Sequence, residues 1–353
     1  MGTARRRWTT IPGVVLAALS ITALAPIWVP IAAVADLLRG RTRLPTVRLL
    51  AFGVGWSWLE TAGVVAAFAL WLTGRRHDLP AHYALQRWWA ANLMRVLRTT
   101  TGLTVDVDGA EALTPGPVVV LCRHASLADS LVSAWVVVDA GLHPRYVLKR
   151  ELLLDPCLDV VGSRIPNHFL DREAADSAVE LDALRILATG LGDRDAVIIF
   201  PEGTRAADAK RSRALARIAE RDAPRAERLG ALTHLLPPRP AGTTALLRGD
   251  PAADLVIAWH TGFEGLDTFG GILRALGRGA PGVQFRARRV ARGDVPSVDD
   301  PAAFTRWLDD RWLEADRAVA DLLATAPAGH RSSSRARRSR SRHSRRSTEP
   351  MRS

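Results

Sequence analysis

Through its middle the chain alternates short apolar runs with amphipathic stretches. Runs at 118–121, 145–148, 196–200, 255–259 and 283–287 have the length and composition of strands, whereas 81–98, 126–140, 174–189, 207–220 and 301–323 carry apolar residues at helical spacing. This alternation predicts an α/β fold with a mainly parallel sheet flanked by helices. In such sheets ligands bind beyond the carboxyl ends of the strands, which directs attention to the loops after 118–121 and 196–200.

The first 80 residues follow another pattern. Residues 11–35 carry no charge and 49–73 only Glu60, and each is long enough for a hydrocarbon core that takes about 20 apolar residues to cross. A single carboxyl in a span costs about 3 kcal/mol, which the surrounding Val, Leu, Phe and Trp offset, so Glu60 is expected to be protonated or to face a partner helix. Trp8, Trp28, Trp56, Trp58 and Trp71 suit the headgroup depth. A cleaved signal peptide, with Arg5, Arg6 and Arg7 as its basic end, is the alternative for the first stretch, but the apolar run is too long for one. Orientation stays open. A hairpin with both ends cytoplasmic puts Arg39, Arg41, Arg43 and Arg48 on the far side, against the positive-inside tendency, while Pro12, Pro26 and Pro30 allow a broken, re-entrant first segment. The chain divides into membrane segments (1–80), a central body (81–327), expected on the cytoplasmic face of the membrane, and a tail (328–353).

Charge sharpens the reading of the tail. Of the net charge of +12, residues 331–353 supply nine Arg against one Glu. An Arg/Ser segment with almost no apolar residues buries no core, so it is expected to be disordered and attracted to anionic headgroups, at about 1 kcal/mol per Arg. It carries no interleaved aromatics to stack on bases, so no specific nucleic acid is expected. Cys122 and Cys157 form no framework of paired spacings and read as small buried residues.

Two polar clusters follow the apolar runs: His124-Ala125-Ser126-Leu127-Ala128-Asp129 and Phe200-Pro201-Glu202-Gly203-Thr204-Arg205. Five residues turn a continuous helix by about 500°, so His124 and Asp129 meet only if the histidine lies in the loop and the aspartate in the first helical turn. The spacing serves two readings equally. Ser126-x-x-Asp129 has the form of a capping box; alternatively, Asp129 fixes the imidazole tautomer and frees the other nitrogen as a general base. In the second cluster Gly203 allows close backbone approach, Thr204 offers a hydroxyl, and Arg205 a planar fork suited to phosphate. Neither a nucleophile-elbow serine or cysteine nor histidines at metal-ligand spacing are present: His124, His143, His168, His234 and His260 are scattered.

Together the clusters resemble the glycerolipid acyltransferase family typified by 1-acylglycerol-3-phosphate acyltransferases, which carry H-x-x-x-x-D followed by F-P-E-G-T-R. The likeness runs over roughly residues 83–323. Lys149-Arg150-Glu151-Leu152, Pro156, Gly162 and Phe169-Leu170-Asp171-Arg172 look like the intervening block, 235–242 with its Pro238-Arg239 pair like the fourth, and Arg311-Trp312-Leu313-Glu314-Ala315-Asp316 like a C-terminal helix of the lysocardiolipin and plant-type branch. Arg123 replaces a common Asn, Ser163 an aromatic, and Ala241 and Thr243 depart from the fourth block. The resemblance implies acyl transfer from acyl-CoA or acyl-carrier protein to a lysophospholipid hydroxyl, 1-acylglycerol-3-phosphate first among the acceptors, with no cofactor or metal. Another lysophospholipid or a glycolipid is the alternative acceptor. An inactive, membrane-tethered binding protein acting through its tail is the alternative of another class. On the family's pattern His124 is the base and Asp129 its orienting partner. Arg172 and Arg205, more weakly Lys149, hold the acceptor phosphate, and Glu202, Gly203 and Thr204 shape its site. Membrane lipids are the expected surroundings.

Overall fold

The computed structural model describes residues 2–126, 129–170, 177–266 and 268–325. Four helices open the chain: α1 (Thr3–Ala23), α2 (Ala25–Leu38), α3 (Pro45–Leu72) and α4 (Leu79–Thr101). There follow β1 (Thr104–Asp108), β2 (Val118–Cys122), α5 (Asp129–Asp139), β3 (His143–Lys149), α6 (Pro156–Val160), β4 (His168–Leu170), α7 (Ser177–Leu187) and β5 (Asp195–Ile199). The remainder comprises α8 (Asp208–Ala219), α9 (Ala223–Leu229), α10 (Pro240–Gly249), β6 (Asp254–Thr261), α11 (Phe269–Arg278), β7 (Gly282–Val290) and α12 (Pro301–Thr325).

The seven strands form one sheet in the order β1-β7-β6-β2-β5-β3-β4. Every pairing is parallel except β6 with β7. The expected α/β class with a mainly parallel, helix-flanked sheet is therefore what forms. The central strands are apolar along their whole length because helices cover both faces: every residue of β2 is fully buried. One face packs on α7, α10 and α12 through Leu184, Leu246, Phe304, Leu308 and Trp312. The other packs on α4 and α5 through Met94, Val132, Val136 and Val137. The α12 residues on this face recur at three- and four-residue steps, which aligns them along one side of the helix.

The first apolar stretch is two helices, not one. α1 and α2 meet at Leu24 with a bend of 70°. Pro26 causes the break, because it stands in the first turn of α2, where its missing N–H costs nothing; Pro12 and Pro30 lie inside their helices. α3 is long and apolar enough to cross a membrane, yet it is tied to the rest of the molecule along its length. At its N-terminal end Arg48 donates to the carbonyls of Thr100, Thr101 and Leu276, and Arg43 to that of Arg278. In its middle the buried Glu60 accepts from Trp89 Nε1 of α4 and from the Cys157 N–H of α6, both at 2.9 Å, so it faces partner helices as expected. Arg6 of α1 makes a two-pronged ion pair with the buried Asp159 at 2.8 Å, and Arg7 donates to the Asp159 carbonyl. Away from these anchors Leu16, Leu19, Ile27, Ile31, Val34, Val65, Phe68 and Trp71 are exposed. The Arg/Ser tail lies outside the described residues.

Candidate active site

β2 and β5 pair in register, Leu121 beside Ile199, so the loops that follow them leave the sheet at one level. His124 stands three residues past Leu121 and Glu202 three past Ile199. The His124 backbone N–H donates to Glu202 Oε1 at 2.9 Å, the Leu236 N–H to Oε2 at 3.0 Å, and the Ala206 N–H returns to the His124 carbonyl at 2.8 Å. Glu202 is buried, and its two oxygens tie the His124 and Leu236 backbones together. Burial pushes its carboxyl up to about 8, against the pull of the two N–H groups.

Asp129 opens α5, and its carboxylate makes the contacts of both geometries that the spacing allowed. It accepts the backbone N–H groups of Ala125 (2.5 Å) and Ser126 (2.7 Å), the capping arm. The same carboxylate lies 3.2 Å from His124 Nδ1 through each oxygen. Burial opposes ionisation of Asp129, but the His124 hydrogen bond and the Ser126 N–H outweigh it and hold the carboxyl below its ordinary value. An ionised Asp129 makes Nδ1 the protonated nitrogen. Among the described residues Nε2 has no hydrogen-bond partner, and the ring leans on Phe200 with centroids 4.8 Å apart.

In the second loop Gly203 takes φ +68, a left-handed conformation that closes the turn through its N–H to the Phe200 carbonyl at 2.9 Å. Lys210 Nζ donates to Thr204 Oγ1 at 3.0 Å and to the Arg205 carbonyl at 3.3 Å. Among the described residues the partly buried Arg205 guanidinium meets no acceptor.

Residues 104–235 match a family model described as Acyltransferase. Among solved structures, the chain is similar to the 1-acyl-sn-glycerophosphate (LPA) acyltransferase PlsC from Thermotoga maritima. The likeness has a TM-score of 0.51 at 16% identity and covers 80% of this chain and 99% of that one. No curated protein sequence matches. Residues 104–235 thus form an acyltransferase-type domain, and the chain has the PlsC fold.

Lys149 ends β3, two strands from β2 and at the same edge of the sheet as His124 and Glu202. Arg172 lies outside the described residues, two positions past the end of β4. Arg123, the residue in place of the common Asn, turns inward and is 3% exposed. Its Nη1 donates to the His260 carbonyl and, at 3.0 Å, to Glu264 Oε1. Glu264 also accepts the Gly262 N–H at 2.7 Å. Burial works against its charge, but Arg123 beside it holds the carboxyl below the usual range.

His260, one of the scattered histidines, lies beside Asp129 in this cluster. β6 pairs with β2 so that Cys122 faces Ala258, which carries His260 to the level of His124. Its Nε2 donates to the Arg123 carbonyl at 3.1 Å and lies 3.7 Å from Asp129 Oδ2. Complete burial keeps the ring neutral, with its pKa down at about 4. Arg239 is the second residue missed. Its guanidinium lies against Gly203, where an added Cβ would stand 3.3 Å from Cζ, Nε and Nη1 alike. The Pro238-Arg239 pair was visible in the sequence; its approach to Gly203 was not. Cys122 and Cys157 are buried and unpaired.

Proposed function

We propose that the enzyme moves a fatty acyl group from an acyl thioester, acyl-CoA or acyl-carrier protein, to the free hydroxyl of a lysophospholipid. The acceptor is most simply 1-acylglycerol-3-phosphate, giving phosphatidate. The observation that carries this reading is the His124–Asp129 pair beside Arg205: among the described residues, His124 Nε2 is unengaged and the Arg205 guanidinium meets no acceptor. Nε2 takes the proton of the acceptor hydroxyl, whose oxygen attacks the thioester carbonyl. The tetrahedral intermediate collapses to the ester, and the departing thiolate recovers the proton from the imidazolium. Asp129 holds the tautomer and stabilises the imidazolium. Arg205, with Arg172, grips the acceptor phosphate, and Lys149 flanks it.

The exposed apolar faces of α1, α2 and α3 fit immersion in a bilayer, where acceptor and product both reside. Arg6, Arg7, Arg43 and Arg48 all bond to the catalytic body, so these arginines stay on its side of the membrane. That removes the conflict with the positive-inside tendency and favours helices that dip into one leaflet.

The test is direct. Purified membranes carrying the enzyme are incubated with labelled acyl-CoA and a panel of lysolipids, and products are identified by mass. Wild type is expected to yield a diacyl phospholipid, and His124→Ala to lose transfer while still fractionating with membranes. Transfer by His124→Ala at the wild-type rate would overturn the base assignment.

A further inference from the structure

We propose that Arg239 is a third phosphate-binding arm of the site, presenting its guanidinium across Gly203 to the phosphate monoester of the acceptor. The inference rests on the acyl-transfer reading above and extends it to a residue outside the two loops.

Three observations carry it. The first is the approach to Gly203: a Cβ added there would stand 3.3 Å from Cζ, Nε and Nη1 alike, so the guanidinium faces that position broadside. The φ of +68 favours glycine there independently, and its missing Cβ leaves the guanidinium its place. The second is the framework around it. The Arg239 N–H donates to the Pro201 carbonyl at 2.9 Å, within the second loop itself. The preceding Pro238 carbonyl accepts from Arg225 Nη2 at 3.0 Å, and Arg225 is locked by two bonds, 2.8 and 2.9 Å, to the buried Asp309 of α12. Leu236 is held by Glu202, and the N–H groups of Thr233, His234 and Leu235 all converge on Asp316, also on α12. The backbone that delivers Arg239 is therefore fixed on both sides.

The third observation concerns charge. Arg6, Arg123, Arg225 and Arg289 each end on a carboxylate. Arg239 is exposed, and among the described residues its guanidinium has no carboxylate or carbonyl partner, as is true of Arg205. With Lys210 bound to Thr204 and the Arg205 carbonyl, three cations surround residues 203–205, while the nearby carboxylate of Glu202 is turned to backbone N–H groups. A rigid backbone that presents an unpaired planar fork in a positive mouth fits an oxyanion with several acceptor oxygens.

Two measurements on the full-length protein in detergent test this. In the first, modification of Arg239 by phenylglyoxal is followed by peptide mass, alone and with glycerol 3-phosphate or coenzyme A. Glycerol 3-phosphate is expected to slow it severalfold. Protection by coenzyme A alone, or by neither, would overturn the proposal. In the second, Arg239→Ala is expected to raise the KM for a phosphate-bearing lysolipid about 10- to 100-fold and leave the acyl-donor KM within about twofold, with Arg239→Lys recovering part of the loss. Equal effects on both substrates, or none, would also overturn it. If wild type transfers acyl groups to no phosphate-bearing lysolipid while glycerol 3-phosphate still shields Arg239, the proposed function fails and the binding site stands.

Discussion

The His124 backbone N–H donates to Glu202 Oε1 at 2.9 Å, so the histidine of one loop is suspended from the carboxyl group of the other. The pair continues the offset of the β2–β5 ladder, in which Leu121 faces Ile199. Sheet register thus sets the height of the imidazole, and Glu202 transmits it.

Replacing Glu202 by Gln tests that role. An amide has one accepting oxygen, so either the His124 or the Leu236 N–H must face an NH2 group in a buried place. The loss is expected to be about 1–3 kcal/mol, read as a lower thermal midpoint together with reduced transfer. An unchanged midpoint would show that the two bonds contribute nothing.

Asp129→Asn keeps the size of the side chain and removes its charge. Transfer is expected to fall by about 10²- to 10⁴-fold, since the tautomer is no longer imposed and the imidazolium loses its partner. Asp129→Ala should add a stability loss of about 1 kcal/mol from the missing cap. If the Asn variant kept full kcat, Asp129 would be a cap alone.

Asp316 is a positioning residue. Its carboxylate gathers the N–H groups of Thr233, His234 and Leu235 and the Thr233 hydroxyl, all within 2.9 Å. In Asp316→Asn the segment leading to Arg239 loosens, so acceptor KM should rise more than donor KM, and Asp316→Glu should recover part of the difference. A change confined to the thermal midpoint would restrict Asp316 to a scaffold.

His260 makes a prediction about pH. Its pKa is about 4 in the folded chain, against about 6.5 for an unperturbed imidazole. Between those values the unfolded chain binds a proton that the folded one refuses, so stability is lost as pH falls through the window. Acidifying from pH 7 to 5 is expected to cost on the order of 2 kcal/mol from this residue. The fall in midpoint over that range should shrink in His260→Gln; an equal fall would place the titration elsewhere.

The parts of the fold that could be read in the sequence are those where burial on both sides left no choice of residue. β2, β3, β5, β6 and β7 all fall on the apolar runs. β1, with the sequence Thr-Val-Asp-Val-Asp, escaped because an edge strand half open to water alternates polar with apolar. β4 has three residues, too few for a pattern. α10 begins Pro-Ala-Gly-Thr-Thr, in which Gly242 and the two threonines are poor helix formers, outweighed by the burial of Ala245, Leu246 and Leu247. In the site, His124 and Asp129 are neighbours along the chain, and their two possible geometries could be enumerated. His260 and Arg239 come from strand order and from the path of the 233–239 segment, neither of which leaves a local trace.

The arginine tethers of α1 and α3 have a kinetic meaning. On the proposed membrane placement, a body bolted to its own apolar helices at Arg6, Arg43 and Arg48 would have no reach above the bilayer. Its mouth would sample only molecules that drift past in the same leaflet. Turnover should then follow the two-dimensional crowding of acceptor among its neighbours, so that diluting the surface with inert detergent slows the enzyme even when the amount of acceptor in the tube is unchanged.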